Sequence, residues 1–502
     1  MDHGAPSSCA WRKIAWMRLL YIDIDTLRFD HLGCYGYPRN TTPHIDRLAA
    51  QAIVFDRIYA SDTPCLPSRT ALLTGQFGMR NGVVNHGGTD ADPAIEGATR
   101  GFHTHLMMDS FPNRLKRAGL RTVTVSSFAF RHSAFHWYAG FDEAYNVGKY
   151  GMETAEEVYA VAAEWLQRRG GSDNWFLHVH LWDPHGPYRA AAAYGEPFSD
   201  QPHPTWLTEQ IRASHWRGCG PHSAQEGRGF HPNEYDRAHY PRQPQEIFDM
   251  AAVRAMFDGY DTGVMVADLY AGRLFRLLEE LGISDDTAVM ISSDHGETLG
   301  ELNIYCDHHT ADEYTTHVPL ILKWPGLGAG RYAGMHYQID VSATLLELLG
   351  QEVPDSWDGQ SFATGLKTRS DGGRDHLVLS QGAWTCQRGV RFEDWMLIST
   401  LHDGYHLFDE VMLFDLEHDP FEQRNLADSR PEVVARGLTL LSHWHARMLP
   451  HAARGRDPLE HVVREGGPFH VRGELPAYLQ RLRATGRADQ AALLAARYPS
   501  LA

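Results

Sequence analysis

Short apolar runs alternate with longer stretches of helical periodicity along most of the chain. The runs have the length of buried strands, and the longer stretches repeat apolar residues at helical spacing. Strands are predicted over Leu19–Asp25, Arg121–Ser126, Trp175–Leu181 (with strict alternation) and Thr287–Ser293. Helices are predicted from Pro43, with Thr42 as N-cap, over Ser68–Thr74 before Gly75, and over Pro112–Ala118 and Phe248–Leu281. This order of elements predicts an α/β sandwich around a central, mostly parallel sheet.

The pattern changes along the chain in ways that suggest domain boundaries. Residues 17–370 carry the strand–helix alternation and form the predicted catalytic domain. Within it, residues 189–245 are rich in Pro, Gly, His and aromatics and have little periodicity, which is typical of a substrate-binding or lid insertion. Residues 374–465 predict a small C-terminal α+β subdomain, with an antiparallel sheet and a helix over Pro431–Met448.

A charged helical tail is predicted over residues 470–502. Its apolar residues recur at helical spacing, so we expect one face to pack on a neighbouring surface. That surface belongs either to this chain or to a second subunit of a homo-oligomer. The residues of the predicted face are Leu475, Tyr478, Leu479, Leu482 and Leu493.

Composition narrows the possible functions. The formal net charge of −17 is spread along the chain, which argues against a nucleic-acid binder with a basic face. No apolar run reaches the ~18 residues that a membrane helix needs. The N-terminus lacks the apolar core and cleavage site of a signal peptide, so a cytoplasmic location is expected. Thirty histidines and only five lysines favour metal binding or acid–base chemistry, with Arg and His as the anion contacts.

The six cysteines form no CxxC pair and predict no disulfide framework. One of them, Cys65, stands just before a predicted helix, with Arg69 one turn later. The helix dipole and the guanidinium are both expected to lower the pKa of the thiol, which makes Cys65 a candidate nucleophile. From these residues alone, the alternative that Cys65 is a buried structural cysteine stays open. A buried thiol is also the expectation for Cys306.

Five segments, in chain order, resemble the signatures of the type I sulfatases of the alkaline phosphatase superfamily. The C-x-P-S-R segment of that family carries a cysteine that is oxidised to formylglycine after translation. The matching segments here are Asp25–Arg28 with Leu32–Gly36, Cys65–Gly75, Trp182–Tyr188, Ser293–Glu297 and Phe414–Leu426. The resemblance extends over about residues 17–450 and implies the fold predicted above.

The resemblance implies one divalent cation held by Asp25, Asp294, His295 and the formylglycine oxygen at position 65. The two aspartates and the histidine also follow apolar strands, where a parallel sheet places ligands. Mostly oxygen donors favour Ca²⁺, although the imidazole leaves Mn²⁺ and Mg²⁺ open. Arg69 is expected to hold the formylglycine oxygen and the metal ligands in place.

The implied reaction is hydrolysis of a sulfate ester, with carbohydrate sulfates among the candidate substrates. A hydroxyl of the formylglycine hydrate attacks sulfur and expels the alcohol, and the second hydroxyl then eliminates sulfate. His185 is expected to contact the sulfate or to protonate the leaving oxygen. Asn85 is a weaker candidate for a substrate contact. Maturation would require a formylglycine-generating enzyme as partner.

The sequence departs from the family pattern at several positions. Thr26 replaces a second aspartate, as in relatives that include phosphonate monoester hydrolases. The G-K-W-H segment is missing, and His132 or Arg131 is the candidate substitute. His308, eleven residues before Pro319, stands where the family has a lysine, with His309 as the alternative anion contact or acid.

These departures keep two other functions open. One is a phosphonate monoester or phosphodiester hydrolase with the same nucleophile, and the other is a non-catalytic binder of sulfated ligands. The scattered histidines between His203 and His239 lack metal-ligand spacing, so a second metal site is not expected there.

Overall fold

The computed structural model describes residues 17–95, 105–172, 174–230, 240–370 and 372–501. No helix in these ranges is both long and apolar enough to cross a membrane. The strands are β1 (Arg18–Ile24), β2 (Ile53–Tyr59), β3 (Asp62–Thr63), β4 (Arg121–Val125), β5 (Glu143–Tyr145), β6 (Trp175–Leu181), β7 (Thr287–Ser292), β8 (Thr298–Leu299), β9 (Tyr305–Asp307), β10 (His317–Lys323), β11 (Gly330–Tyr337), β12 (His376–Gln381), β13 (Cys386–Phe392), β14 (Trp395–His402) and β15 (Val411–Asp415).

The α-helices vary from one turn to the long helix α9. They are α1 (Pro43–Ala49), α2 (Cys65–Thr74), α3 (Gly78–Asn81), α4 (His105–Asp109), α5 (Phe111–Arg117), α6 (Phe128–Arg131), α7 (Ala155–Arg169), α8 (Glu209–His215), α9 (Met250–Glu280), α10 (Glu313–Thr316), α11 (Gln338–Leu348), α12 (Ala363–Thr368), α13 (Pro431–Met448), α14 (Pro458–Arg464), α15 (Leu475–Ala484) and α16 (Ala488–Arg497).

The large sheet has eight strands in the order β11-β2-β10-β7-β1-β6-β4-β5. All its pairings are parallel except those of β10, which runs antiparallel to β2 and β7. Side chains of β1 alternate between two cores: Leu20 and Ile22 pack with α7 and α9, whereas Leu19 and Tyr21 pack with α5 and α11. Helices therefore cover both faces of the sheet, as the predicted α/β sandwich requires.

A second sheet has the order β15-β14-β13-β12-β3. Four of its strands form an antiparallel meander from the C-terminal part of the chain, and α13 packs against them. The two-residue strand β3 pairs in parallel with β12, through Asp62 with Ser380 and Thr63 with Gln381. Helix α2 begins two residues after β3. The small sheet therefore anchors the segment that leads into Cys65.

Several local predictions need correction. Thr42 precedes α1, but its side chain makes no capping bond to the helix backbone and instead donates to Oδ1 of Asp46. The strand predicted over Trp175–Leu181 is confirmed as β6, and all seven of its residues are buried because helices cover both sides of the sheet. The insertion predicted as irregular contains α8, which begins behind a side-chain cap from Thr208.

The tail consists of two helices, α15 and α16, that pack on this chain rather than projecting from it. Leu475, Tyr478, Leu479 and Leu482 are buried against a surface that includes Cys219 and Tyr405. Leu493 is 59% exposed, contrary to the prediction, and Leu494 is buried in its place. The turn between the two helices shifts the buried face of α16 by one residue relative to the phase of α15.

Candidate active site

The residues predicted to hold a metal meet at the carboxyl ends of β1 and β7. Asp25 directly follows β1, and Cys65 is the first residue of α2. One residue, Ser293, separates the end of β7 from Asp294 and His295. Sγ of Cys65 lies 3.1 Å from Nε2 of His295. Ligand atoms of all four residues lie within 4.8 Å of one another, and all four residues are buried. Adjacent parallel strands end at the same edge of the sheet, which explains why segments 270 residues apart converge.

This donor set fits a divalent cation. Oδ1 of Asp25 is buried and has no hydrogen-bond partner among the described residues, so a bound cation would satisfy it. Asp23, Asp25 and Asp294 place three carboxylates around the single guanidinium of Arg69. A divalent cation would balance the two remaining negative charges. Carboxylate oxygens with one imidazole nitrogen suit a hard or borderline metal ion.

Arg69 lies at the centre of the cluster and is almost completely buried. Its guanidinium lies 3.0 Å from Asp23 and 3.1 Å from Asp25, and it forms an ion pair with Asp294. It also donates to Nε2 of His180 at 2.6 Å. Arg69 therefore contacts both predicted carboxylate ligands, consistent with the positioning role expected from the sequence.

The pKa of the Cys65 thiol is shifted in the opposite direction from the prediction. Burial and the neighbouring carboxylate of Asp25 raise its pKa to about 11, although the helix N-terminus and Arg69 were expected to lower it. Arg69 is committed to three carboxylates, so the cluster around the sulfur is not electropositive. Without a bound cation, the unmodified cysteine is a protonated thiol at neutral pH and a poor nucleophile. Asp294 and Cys65 raise the pKa of His295 well above its ordinary value, although burial alone would lower it.

A cavity opens directly beside Cys65 and is lined by His185 and His308, both predicted from the sequence. Ligand atoms of these three residues lie within 4.8 Å of one another. Nδ1 of His185 donates to the carbonyl oxygen of Gly186, which leaves Nε2 for the cavity. Nδ1 of His308 lies 3.1 Å from Oε2 of Glu297. Burial lowers the pKa of both imidazoles well below the ordinary value, so both are neutral before an anion binds.

The remaining candidates are placed differently. His132 and Arg131 line the cavity, and Nε2 of His132 is buried without a partner among the described residues. Asn85 is buried outside the cavity wall, where its Oδ1 accepts from the backbone N–H groups of His86 and Phe469. The next residue, His86, lines the cavity instead. A substrate contact by Asn85 stays a prediction.

Sequence reasoning did not assign a role to several residues around the site. Asp23 binds Arg69, and His180 lies 3.0 Å from Oδ2 of Asp25. Polar residues inside the apolar runs of β1 and β6 were a usable signal for both. Several cavity residues come from segments without a motif, and nothing in the sequence relates them to Cys65. They include His86, His222, Arg228, Trp384 and His470.

The α/β sandwich brings a carboxylate–imidazole cluster and the first residue of α2, Cys65, together at the edge of the sheet, an arrangement that could hold a metal ion. Residues 18–351 match the sulfatase family, and residues 300–439 match the C-terminal region of N-sulphoglucosamine sulphohydrolase. The chain belongs to the sulfatase family. It is a sulfuric ester hydrolase, and the family implies a metal ion and a formylglycine at the site.

Known proteins resemble the chain over most of its length. The N-acetylglucosamine-6-O-sulfatase of Bacteroides thetaiotaomicron is 23% identical over 481 residues, covering 81% of this chain and 82% of that protein. A structure solved in complex with its substrate D-glucosamine-2-N,6-O-disulfate has a TM-score of 0.69 at 21% identity and covers 89% of this chain and 99% of that chain. The structure of the phosphonate monoester hydrolase of Agrobacterium radiobacter has a TM-score of 0.67 at 19% identity. The match covers 86% of this chain and 96% of that chain. At these identities the structural likeness establishes the fold.

Proposed function

We propose that the protein hydrolyses a sulfate ester on a carbohydrate. The observation that carries this proposal is the cavity that opens onto Cys65, with imidazoles, arginines and Trp384 in its wall. Such a mixture of polar and aromatic groups suits a ligand with many hydroxyl groups and one anionic substituent. Relatives that include N-acetylglucosamine-6-O-sulfatase and N-acetylgalactosamine-6-O-sulfatase support the same substrate class.

The residues around Cys65 would position the sulfate group. Formylglycine, made from Cys65 by a formylglycine-generating enzyme, would supply the hydroxyl nucleophile, and the cation would supply positive charge for the sulfate oxygens. Asp25, Asp294 and His295 would hold the cation, and Arg69 would keep both aspartates in place. We propose Ca²⁺ because oxygen donors predominate, with Mn²⁺ and Mg²⁺ as the competing ions in a metal analysis.

His185 and His308 would act on the leaving group and the sulfate. Both imidazoles are neutral in the free protein, and an anionic sulfate beside them would raise their pKa. Nδ1 of His185 stays bound to the Gly186 carbonyl, so a proton taken up at Nε2 would face the cavity. His185 could then give that proton to the leaving oxygen, while His308 would bind the sulfate in place of the family lysine.

Sulfate release from a panel of sulfated sugars tests the proposal. The panel contains the 6-sulfates of N-acetylglucosamine and N-acetylgalactosamine and an aryl sulfate, with Cys65→Ala as the control. Free sulfate would be measured by ion chromatography on protein produced with a formylglycine-generating enzyme. We expect turnover of at least one sugar sulfate by the unmutated protein and none by Cys65→Ala. Hydrolysis of the aryl sulfate alone would contradict the carbohydrate assignment.

A phosphonate monoester is the second candidate substrate. Thr26 occupies the position of the family's second aspartate, and its Oγ1 is buried without a partner among the described residues. The fold also resembles a phosphonate monoester hydrolase. A kcat/KM for a phenyl phosphonate ester above that for every sulfate ester would make this the principal activity.

A further inference from the structure

A second cluster of potential metal ligands lies in the wall of the cavity, apart from the residues around Arg69. It consists of His222, Asp307 and His309, whose ligand atoms all lie within 4.8 Å of one another. His222 comes from the insertion, whereas Asp307 ends β9 and His309 follows it. The side chain of His309 is completely buried, and those of His222 and Asp307 are 11% and 15% exposed.

Both nitrogen–oxygen distances in this cluster are close to the separation of neighbouring ligands in a tetrahedral metal site. Nε2 of His222 lies 3.1 Å from one carboxylate oxygen of Asp307, and Nε2 of His309 lies 3.4 Å from the other. Metal–ligand bonds of about 2.0–2.2 Å place neighbouring ligand atoms of a tetrahedron roughly 3.3–3.5 Å apart. Each imidazole nitrogen therefore lies at about the distance from the carboxylate that two ligands of one ion would have.

The cluster also contains a nitrogen atom that the protein leaves unsatisfied. Nε2 of His309 is fully buried and makes no well-formed hydrogen bond to any described residue. Nδ1 of His309 lies 3.0 Å from Nε2 of His406. If Nδ1 carries the proton and donates it to His406, Nε2 of His309 presents its lone pair to the cluster, as in many metal-binding histidines.

We propose that His222, Asp307 and His309 bind a divalent transition-metal ion of the Zn²⁺ type, in addition to the cation held by Asp25, Asp294 and His295. Two imidazoles and one carboxylate form a softer donor set than the oxygen-rich first site, which favours Zn²⁺ over Ca²⁺. His222 and Asp307 line the cavity, so an ion held by them would lie at the edge of the ligand-binding space. Metal-ligand spacing along the sequence did not predict this site, because its ligands come from two segments that are 85 residues apart.

Zinc binding to metal-free protein tests the proposal, and the readout does not depend on sulfate hydrolysis. Cys65→Ser serves as the parent, because the thiol of Cys65 with His185 and His308 could also bind Zn²⁺. The parent would be compared with His222→Ala, His309→Ala and, as control, His443→Ala, which removes an exposed imidazole from α13. Bound zinc would be measured by equilibrium dialysis and mass spectrometry of the metal, and folding by circular dichroism.

We expect His222→Ala and His309→Ala each to lose one zinc equivalent per chain, with at least about 100-fold weaker binding at that site. His443→Ala should bind zinc like the parent. If removal of the buried His309 prevents folding, His222→Ala and the isosteric Asp307→Asn test the same site. Equal zinc stoichiometry and affinity in the parent, His222→Ala and Asp307→Asn would overturn the proposal and leave a cluster that holds no metal.

Discussion

At the scale of single residues, Arg69 determines the electrostatics of the site. It contacts Asp23, Asp25 and Asp294, and no other arginine or lysine is within ion-pair distance of these carboxylates among the described residues. Removing a guanidinium from such a buried cluster leaves uncompensated charge, which is strongly unfavourable. The resemblance to the sulfatases implied a positioning role for the same residue.

Arg69→Lys tests whether the planar guanidinium is required. Lysine keeps the charge but cannot bridge three carboxylates, so Asp25 and Asp294 lose their fixed geometry. We expect kcat to fall at least about 100-fold, with weaker binding of the activating cation. Steady-state kinetics with titrated metal would measure both. Unchanged kcat and metal affinity would show that charge alone is sufficient at this position.

His308 makes the second prediction at this scale. If it binds the sulfate in place of the family lysine, His308→Ala should lower kcat/KM by about 100- to 1000-fold. His443→Ala, on the exposed side of α13, is the matched control and should be unaffected. Similar kcat/KM values for the two variants would exclude His308 from substrate binding and catalysis.

At the scale of elements, the apolar runs predicted β1, β4, β6 and β7 of the large sheet. They did not predict β2, β5, β10 or β11, and the cap of α1 was predicted wrongly. β6 and α13 have the predicted bounds because apolar spacing reports burial directly. The first turn of α1 is capped by a side chain of another helix. Asp268, on α9, accepts hydrogen bonds from the backbone N–H groups of His44 and Ile45. A cap that comes from another helix, more than 200 residues away, leaves no local signal in the sequence.

Asp268 predicts a measurable pH dependence of stability. Burial raises its pKa to about 7, although the backbone N–H groups of Ile45 and His44 act in the opposite direction. Because the folded-state pKa lies above the unfolded value of about 3.9, the contribution of Asp268 to stability is complete below pH ~4 and is lost as the pH rises through about 7.

Asp268→Asn should therefore flatten the stability profile between about pH 4 and pH 7, where the unmutated protein loses roughly 1–4 kcal/mol of unfolding free energy through this carboxyl. Thermal unfolding across this range would measure the effect, with the exposed Asp489→Asn as control. Parallel profiles for Asp268→Asn and the unmutated protein would contradict the raised pKa.

At the scale of the whole molecule, the tail and the insertion together complete the cavity. Glu226 of the insertion forms buried ion pairs with Arg487 and Arg481 of the tail, and the hydroxyl of Tyr478 accepts from the backbone N–H of Gly220. Arg228 and Phe230 of the insertion and His470 line the cavity. None of these contacts could be predicted from the sequence, since they depend on the tertiary packing of segments without motifs.

Arg487→Ala tests the link between the tail and the cavity. Without Arg487, the negative charge of the buried Glu226 is less well balanced. The free energy of unfolding should therefore fall by about 3–5 kcal/mol. We also expect KM to rise several-fold with a smaller change in kcat, because the insertion forms the cavity wall rather than the nucleophile. Arg483→Ala, exposed on α15, is the control. A variant with unchanged stability and KM would show that the tail does not support the insertion.

The central claim is that Cys65 becomes the formylglycine of a sulfatase. The most direct measurement is the mass of the peptide Ile58–Arg69, from protein produced together with a formylglycine-generating enzyme. Conversion of the thiol to the aldehyde makes the peptide about 18 Da lighter, and this is the predicted result. A peptide with the mass of the unmodified thiol would contradict the account, because the proposed nucleophile is the hydroxyl of the formylglycine hydrate and not the thiol of Cys65.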